Sequence, residues 1–159
     1  REQIVVHTDS ARLRAKYRET YDASAVHMQR SDWLRASILQ DDGGWYFDCD
    51  CWPVKPLPAM DVGDKLACLC WDTGCLNAMM YCEPGCPVWG LYEAANPGDK
   101  LSGSHALNKI WLGRPDMFAP LDQSQWTGGR LDPINYDLAH TGQADKMMVP
   151  SSQVVIHGS

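Results

Sequence analysis

The chain has 159 residues with 14 Lys plus Arg against 20 Asp plus Glu, which gives a formal net charge of −6. A chain of this length can bury one core as a single domain, and its acidic balance disfavours nucleic acid as a partner. The apolar runs are only a handful of residues long, so we expect no membrane insertion, and no signal peptide is visible after Arg1.

The composition divides the chain into three parts. Residues 1–42 contain no Gly and no Pro, whereas all 13 Gly and all 10 Pro follow them. We therefore predict one domain with a helical segment at 1–42, a Cys- and Trp-rich β region at 43–112, and a long loop region with a closing strand at 113–159.

The Gly-free segment predicts two helices. Apolar residues recur there at steps of three and four, which places them on one helix face: Leu13, Tyr17, Tyr21, Ala25 and Met28. A second helix is expected after Ser31, with Trp33, Leu34 and Ile38 pointing inward. Its predicted end is the Asp-Asp-Gly-Gly sequence at 41–44.

Short β-prone runs follow Gly44. The expected strands are WYFDC, KLACLCW, VWGLY, KIWL and, near the end of the chain, QVVIH. QVVIH at 153–157 repeats QIVVH at 3–7, and we predict that these first and last strands pair. Antiparallel pairing would set Ile4 against Ile156, while parallel pairing would set His7 beside His157, and the sequence leaves the direction open.

The seven cysteines dominate the middle of the chain. They are Cys49, Cys51, Cys68, Cys70, Cys75, Cys82 and Cys86. This density predicts that six of the seven form disulfides in a secreted or extracytoplasmic protein, with the odd thiol free or linking a homodimer. The alternative is a zinc-binding domain built on the two Cys-x-Cys pairs, to which Asp48, Asp50 and His105 could add ligands.

One cysteine is also a candidate nucleophile. Cys49 lies about fifty residues before His105, so a secreted cysteine-dependent hydrolase using this pair is an alternative function. The stretches FDC at 47–49 and PGDKLSGSHALNKIWLG at 97–113 resemble parts of the papain-like NlpC-type peptidases. In that family an Asp-Cys pair opens a helix and a later histidine begins a strand, but here Asp-Cys-Trp-Pro follows Cys49.

The residue types together predict an α+β fold in which a disulfide-braced, loop-rich antiparallel β region follows the helices. Seven Trp are present against two Phe. Aromatic side chains in turns suit a protein or carbohydrate partner, and Trp52, Trp126 and Tyr136 are the candidate binding residues. We therefore expect a non-enzymatic secreted or surface-exposed binding protein that needs no cofactor and no metal.

Overall fold

The computed structural model describes residues 13, 17–18, 21–22, 27–48, 51–53, 56–95, 103–122 and 155–157. Three helices are described: α1 (His27–Asp42), α2 (Val88–Ala95) and α3 (Gly103–Gly113). The strands are β1 (Gly44–Phe47), β2 (Cys51–Pro53), β3 (Leu66–Trp71), β4 (Gly74–Cys82), β5 (Phe118–Pro120) and β6 (Val155–His157). A short 3₁₀ helix, Pro115–Met117, leads into β5.

Four of these strands form a mixed sheet in the order β1-β4-β3-β5. The β3–β4 hairpin and the β1–β4 pair are antiparallel, while β5 lies parallel to β3. Strands β2 and β6 form a separate antiparallel pair, with Cys51 opposite His157. Strands β4 and β3 are therefore the two central strands of the four-stranded sheet.

The sheet has a core on each face. Alternation along β3 sends Leu66, Cys68 and Cys70 to one face and Ala67 and Leu69 to the other. The first face is covered by the helices, which contribute residues such as Trp33, Leu39, Trp89, Tyr92, Leu107 and Ile110. The second face is covered by Leu57, Met60, Val62 and Leu121.

The predicted α+β class is confirmed by three helices packed with a mixed sheet. Leu13 and Tyr17 are buried, and Tyr21 packs against the same core, as the predicted apolar face of the first helix requires. Helix α1 begins at His27, earlier than expected, and ends at Asp42 as predicted. Trp33 is buried, whereas Leu34 and Ile38 are only half-buried.

Two predicted strands are helices. VWGLY lies in α2, which buries Val88, Trp89 and Tyr92, and KIWL lies in the last turns of α3. Strand β4 was not anticipated, and β5 lies within the region expected to be loop. None of the described helices is both long and apolar enough to cross a membrane.

The predicted pairing of residues 3–7 with 153–157 cannot be followed, because residues 3–7 lie outside the described part of the chain. The described neighbour of Val155–His157 is β2. This pairing places Val155–His157 beside the stretch that follows Asp48.

The predicted disulfide framework is wrong for the six cysteines that the structure describes, all of which are thiols: Cys51, Cys68, Cys70, Cys75, Cys82 and Cys86. Each is buried, and together they pack as small apolar side chains within the two cores. Cys49 lies outside the described residues. The core therefore derives its stability from packing rather than from covalent bridges.

Candidate functional site

A cluster of polar side chains lies between α1 and the sheet. It consists of Asp32 and Arg35 on α1, Tyr46 and Asp48 at the end of β1, and Asn77 on β4, and we call it the polar cluster. Asp32 and Arg35 are three residues apart and so share one face of the helix. Both are buried, which is rare for charged side chains unless they are paired.

Arg35 is the centre of the cluster. Its Nη1 donates to the Asn77 carbonyl at 2.7 Å and lies 3.1 Å from Asp48 Oδ1, while its Nη2 lies 3.3 Å from Asp32 Oδ1. The guanidinium also stacks 4.7 Å from the centre of the Tyr46 ring. Among the described residues its Nε has no hydrogen-bond partner, which leaves one buried donor unused.

Asp32 connects three elements. Its Oδ2 accepts the Gly103 backbone N–H at 2.7 Å, which fixes the first residue of α3, and its Oδ1 accepts Asn77 Nδ2 at 3.2 Å. A Cβ on Gly103 would lie 2.6 Å from Asp32 Cγ, so only glycine allows this approach. Burial raises the pKa of Asp32, although Arg35 and the Gly103 N–H oppose that shift.

Asn77 reaches the cluster because β4 bulges. Cys68 pairs with Met80, but the next residue, Leu69, pairs with Leu76, so three extra residues of β4 lie between these two pairs. The extra residues are 77–79, and the Ala78 carbonyl accepts the Asp48 backbone N–H at 2.8 Å. Bulges often occur beside functional sites, where they redirect a side chain. This bulge directs Asn77 toward Asp32 and ties Asp48 to β4.

Asp48 is the member of the cluster that faces solvent. Its side chain is 28% exposed, compared with 4% for Asp32 and 7% for Arg35. Its Oδ1 accepts the Tyr46 hydroxyl at 2.8 Å. Burial raises the pKa of Tyr46, so the phenol stays protonated and acts as the donor. The contacts of Arg35 and Tyr46 both converge on Oδ1 and orient the carboxylate.

The cluster carries two carboxylates and one guanidinium, hence an excess of one negative charge. Carboxylate oxygens are hard ligands that suit a divalent cation such as Mg²⁺ or Mn²⁺. No group of three or more potential ligands occurs within the described ranges. Asp50, two residues after Asp48, lies outside them. This donor set fits a cation that the protein holds through one or two carboxylates and that takes its other ligands from a bound phosphate.

The pH dependence of the free energy of unfolding should report the protonation of Asp32. Because its folded pKa is raised above the ordinary 3.8, its contribution to stability is fully present below pH 3.8 and is lost as pH rises through the folded pKa. Asparagine does not titrate. The free energy of unfolding of wild type minus that of Asp32→Asn should therefore fall across this window, as urea unfolding from about pH 3 to about pH 7 would measure. A pH-independent difference would contradict the raised pKa.

Most of the residues predicted from sequence lie outside the described part of the chain, so their placement stays a prediction. Cys49, Trp126 and Tyr136 lie outside the described residues, and Trp52 is described only by its backbone in β2. His105 is exposed on α3, a helix rather than the beginning of a strand. Cys51 belongs to the core opposite that of Cys68 and Cys70, so these three thiols do not meet in one site.

A cavity of about 440 Å³ opens at the tip of the β3–β4 hairpin. It is lined by Cys70, Trp71, Asp72, Thr73, Trp111 and Pro120. It contains none of the residues of the polar cluster. The functional site is better placed at the cluster, because the buried charges and the bulge are there.

Residues 2–67 match a family described as "Glycosyltransferase sugar-binding region containing DXD motif". The match covers less than half of the chain and includes Asp48-Cys49-Asp50. A solved structure titled "PaToxG Glycosyltransferase" is similar in fold, with a TM-score of 0.53 and 21% identity over 82% of this chain. The chain spans 46% of that structure. No curated protein sequence matches the chain.

These similarities contradict the prediction of a disulfide-stabilised binding protein. The family that matches is described as a glycosyltransferase sugar-binding region, and the described cysteines are not bridged. The cysteine-hydrolase and zinc-domain alternatives, which required thiols instead of disulfides, are not supported either, because the match points to a glycosyltransferase region. The prediction emphasised Cys49 and gave its two neighbours, Asp48 and Asp50, only a secondary role as additional ligands.

The signal that sequence reasoning missed is an Asp-x-Asp sequence directly after a short strand. Asp48 and Asp50 were considered only as possible zinc ligands. The sequence SDWLR at 31–35 also carries a signal, since Asp32 and Arg35 stand one helical turn apart next to Trp33. Asn77 has no such signal, because its role depends on the bulge in β4.

Proposed function

We propose that the chain is the sugar-nucleotide-binding part of a glycosyltransferase that uses a nucleoside diphosphate sugar as its donor. The observation that carries the proposal is the orientation of Asp48, the first residue of an Asp-x-Asp sequence, by Arg35 and Tyr46. The match of residues 2–67 to a sugar-binding region supports the same conclusion. The proposal specifies the class of enzyme and of donor, and it names no particular acceptor.

Each member of the polar cluster has a role in this function. Asp48 is the solvent-facing ligand, while Arg35 and Tyr46 are positioning residues that hold its Oδ1. Asp32 holds Arg35 and the first residue of α3, and Asn77 donates to Asp32. The Arg35 Nε is a buried donor that an oxygen of the sugar or the phosphate could satisfy after a local rearrangement.

Asp48 and Asp50 are the residues that would hold a divalent cation. When bound, the cation would neutralise the charge of the diphosphate and so stabilise it as a leaving group. Coordination positions that these two carboxylates do not fill would be available to phosphate oxygens. The buried residues behind Asp48 keep its carboxylate in place, so that little conformational freedom is lost on binding.

Asp48→Asn should weaken donor binding. Removal of one anionic oxygen ligand should lower the affinity for a nucleoside diphosphate sugar with Mn²⁺ by at least about tenfold, the lower end of the loss for altered metal sites. The probes are UDP-glucose, UDP-N-acetylglucosamine and GDP-mannose, each titrated by calorimetry with and without MnCl₂. Binding rather than turnover is measured because the chain spans 46% of the similar glycosyltransferase structure.

Asp116→Asn is the matched control. Asp116 is an exposed aspartate paired with Arg114 outside the polar cluster, so the same change of charge there should leave the affinity unaltered. Equal effects of the two substitutions would indicate nonspecific electrostatics. Failure of the wild type to bind any of the three probes with Mn²⁺ would overturn the proposed function.

A further inference from the structure

Three thiols that the proposed function does not use lie together on the β3–β4 hairpin. Cys68 and Cys70 stand two residues apart on β3, and Cys75 faces Cys70 across the antiparallel ladder. The Sγ atoms of Cys68 and Cys70 are 3.5 Å apart, which is contact distance. A disulfide needs a sulfur–sulfur distance of about 2.05 Å, so a shift of roughly 1.5 Å would allow the bond to form.

Cys70 is 7% exposed and borders a cavity that could admit a small oxidant. It lines the 440 Å³ cavity at the hairpin tip, together with Trp71, Thr73 and Trp111. The other neighbouring thiols, Cys82 and Cys86, are at most 2% exposed and do not line that cavity. The enclosed Cys82–Cys86 pair therefore serves as an internal comparison for Cys70, which lines the cavity.

The two sulfurs differ in acidity. The hydrogen bond from Cys68 lowers the pKa of Cys70, although burial opposes the shift. The pKa of Cys68 is raised well above its ordinary value by its contacts with Cys70 and Cys75 and by burial. The thiolate is the reactive form of cysteine, so Cys70 is the better nucleophile and Cys68 retains its proton.

We propose that Cys70 is a peroxide-reactive thiol and that Cys68 resolves it into an intrastrand Cys68–Cys70 disulfide. In the first step the Cys70 sulfur attacks hydrogen peroxide, an S–O bond forms, the O–O bond breaks and the leaving hydroxide takes up the thiol proton as water. In the second step the Cys68 sulfur attacks the Cys70 sulfur, the S–O bond breaks and a second water leaves with the Cys68 proton. Peroxide is reduced and the two thiols are oxidised.

This bond would be strained and therefore reversible. The Cα atoms of two residues that stand two apart on a strand are separated by about 6.6 Å, which is near the upper limit for a disulfide. Strained disulfides have higher reduction potentials and act as labile rather than structural links. A thiol reductant such as glutathione should restore the reduced pair.

The position of the pair connects it to the polar cluster. Cys68 pairs with β4 on one side of the 77–79 bulge and Cys70 on the other, so a bond between them would alter the strand opposite Asn77. Weaker donor binding by the oxidised protein is the expected consequence, and this consequence alone rests on the proposed function. The thiol chemistry is measured without any nucleotide.

The test is to treat the folded full chain with hydrogen peroxide, alkylate it under denaturing conditions and map the thiols by mass spectrometry. Chymotryptic cleavage after Trp71 and Tyr81 separates Cys68 and Cys70 from Cys75 and from Cys82. A peptide containing Cys68 and Cys70 without alkyl groups, lighter by two hydrogen atoms, is expected while Cys75, Cys82 and Cys86 are alkylated. Alkylated Cys68 and Cys70, or a link from Cys70 to Cys75, would overturn the proposal.

Two variants refine the test. Cys70→Ser should slow the loss of thiols at least about tenfold, because the reactive thiolate is gone. Cys86→Ser, in the enclosed pair, should leave the rate at Cys70 unchanged. If Cys70→Ser fails to fold, the wild-type peptide map still decides between the two outcomes. Should the reduced wild type bind no donor sugar, the proposed function fails while the peptide map remains decisive for the disulfide.

Discussion

Arg35→Met is expected to lower the free energy of unfolding by about 3–5 kcal/mol, the usual effect of breaking a buried ion pair by removing one partner. Methionine keeps the length and the apolar stem of the side chain but leaves Asp32, whose side chain is 4% exposed, without its cation. The Asn77 carbonyl also loses its 2.7 Å donor. Urea unfolding at neutral pH would measure the loss.

The deficit of Arg35→Met should shrink in acid. Arg35 is the main group that opposes the rise in the pKa of Asp32, so the variant should protonate Asp32 at higher pH than the wild type and thereby remove the uncompensated charge. Arg114→Met is the control, because the Arg114–Asp116 pair is exposed and its loss should leave stability unchanged. A loss below about 1 kcal/mol in Arg35→Met would mean that the pair behaves like a surface pair.

Among the described glycines that do not contact the polar cluster, Gly43 should be the most damaging to replace by alanine. Gly43 follows α1 with φ +64°, and its N–H donates to the Leu39 carbonyl at 3.1 Å. An added Cβ would lie 2.6 Å from the Pro84 nitrogen and 2.7 Å from the Cys82 carbonyl oxygen, and both of these are backbone atoms. The left-handed conformation costs about 1–3 kcal/mol and the overpacking a further 1–3 kcal/mol.

Gly44→Ala provides the matched control for that prediction. Gly44 also has a positive φ, +88°, but nothing lies within 4 Å of its would-be Cβ. Its loss of stability should contain only the conformational cost of about 1–3 kcal/mol. Thermal or urea unfolding of both variants compares them directly. Equal losses of stability would show that the backbone atoms close to Gly43 can move aside at little cost.

Local chemistry explains which elements the sequence predicted. The end of α1 was predictable because only glycine takes the positive φ at 43 and 44 without strain. β1 was predictable from its three consecutive aromatic residues and β3 from its short apolar run, each bounded by turn residues. VWGLY and KIWL have the same residue types, and in so short a window an apolar run has no distinguishable period.

A longer stretch of sequence distinguishes these two helices from strands. In α3 the buried residues Gly103, Ala106, Leu107 and Ile110 follow helical spacing, but the run begins before KIWL. In α2 the buried Val88, Trp89 and Tyr92 also share one helical face. Packing of those faces against the sheet overrides the β propensity of valine, tyrosine and tryptophan.

The sequence by itself determined the α+β class, the end of α1, the first apolar face and the presence of carboxylates after β1, because each depends on neighbouring residues and backbone conformation. Only the tertiary structure decided that the described cysteines are thiols and that Asp32, Arg35, Asp48 and Asn77 meet. Asp32 and Asn77 are 45 residues apart. Their contact depends on the bulge in β4, and long-range pairing of this kind arises from packing rather than from any local pattern.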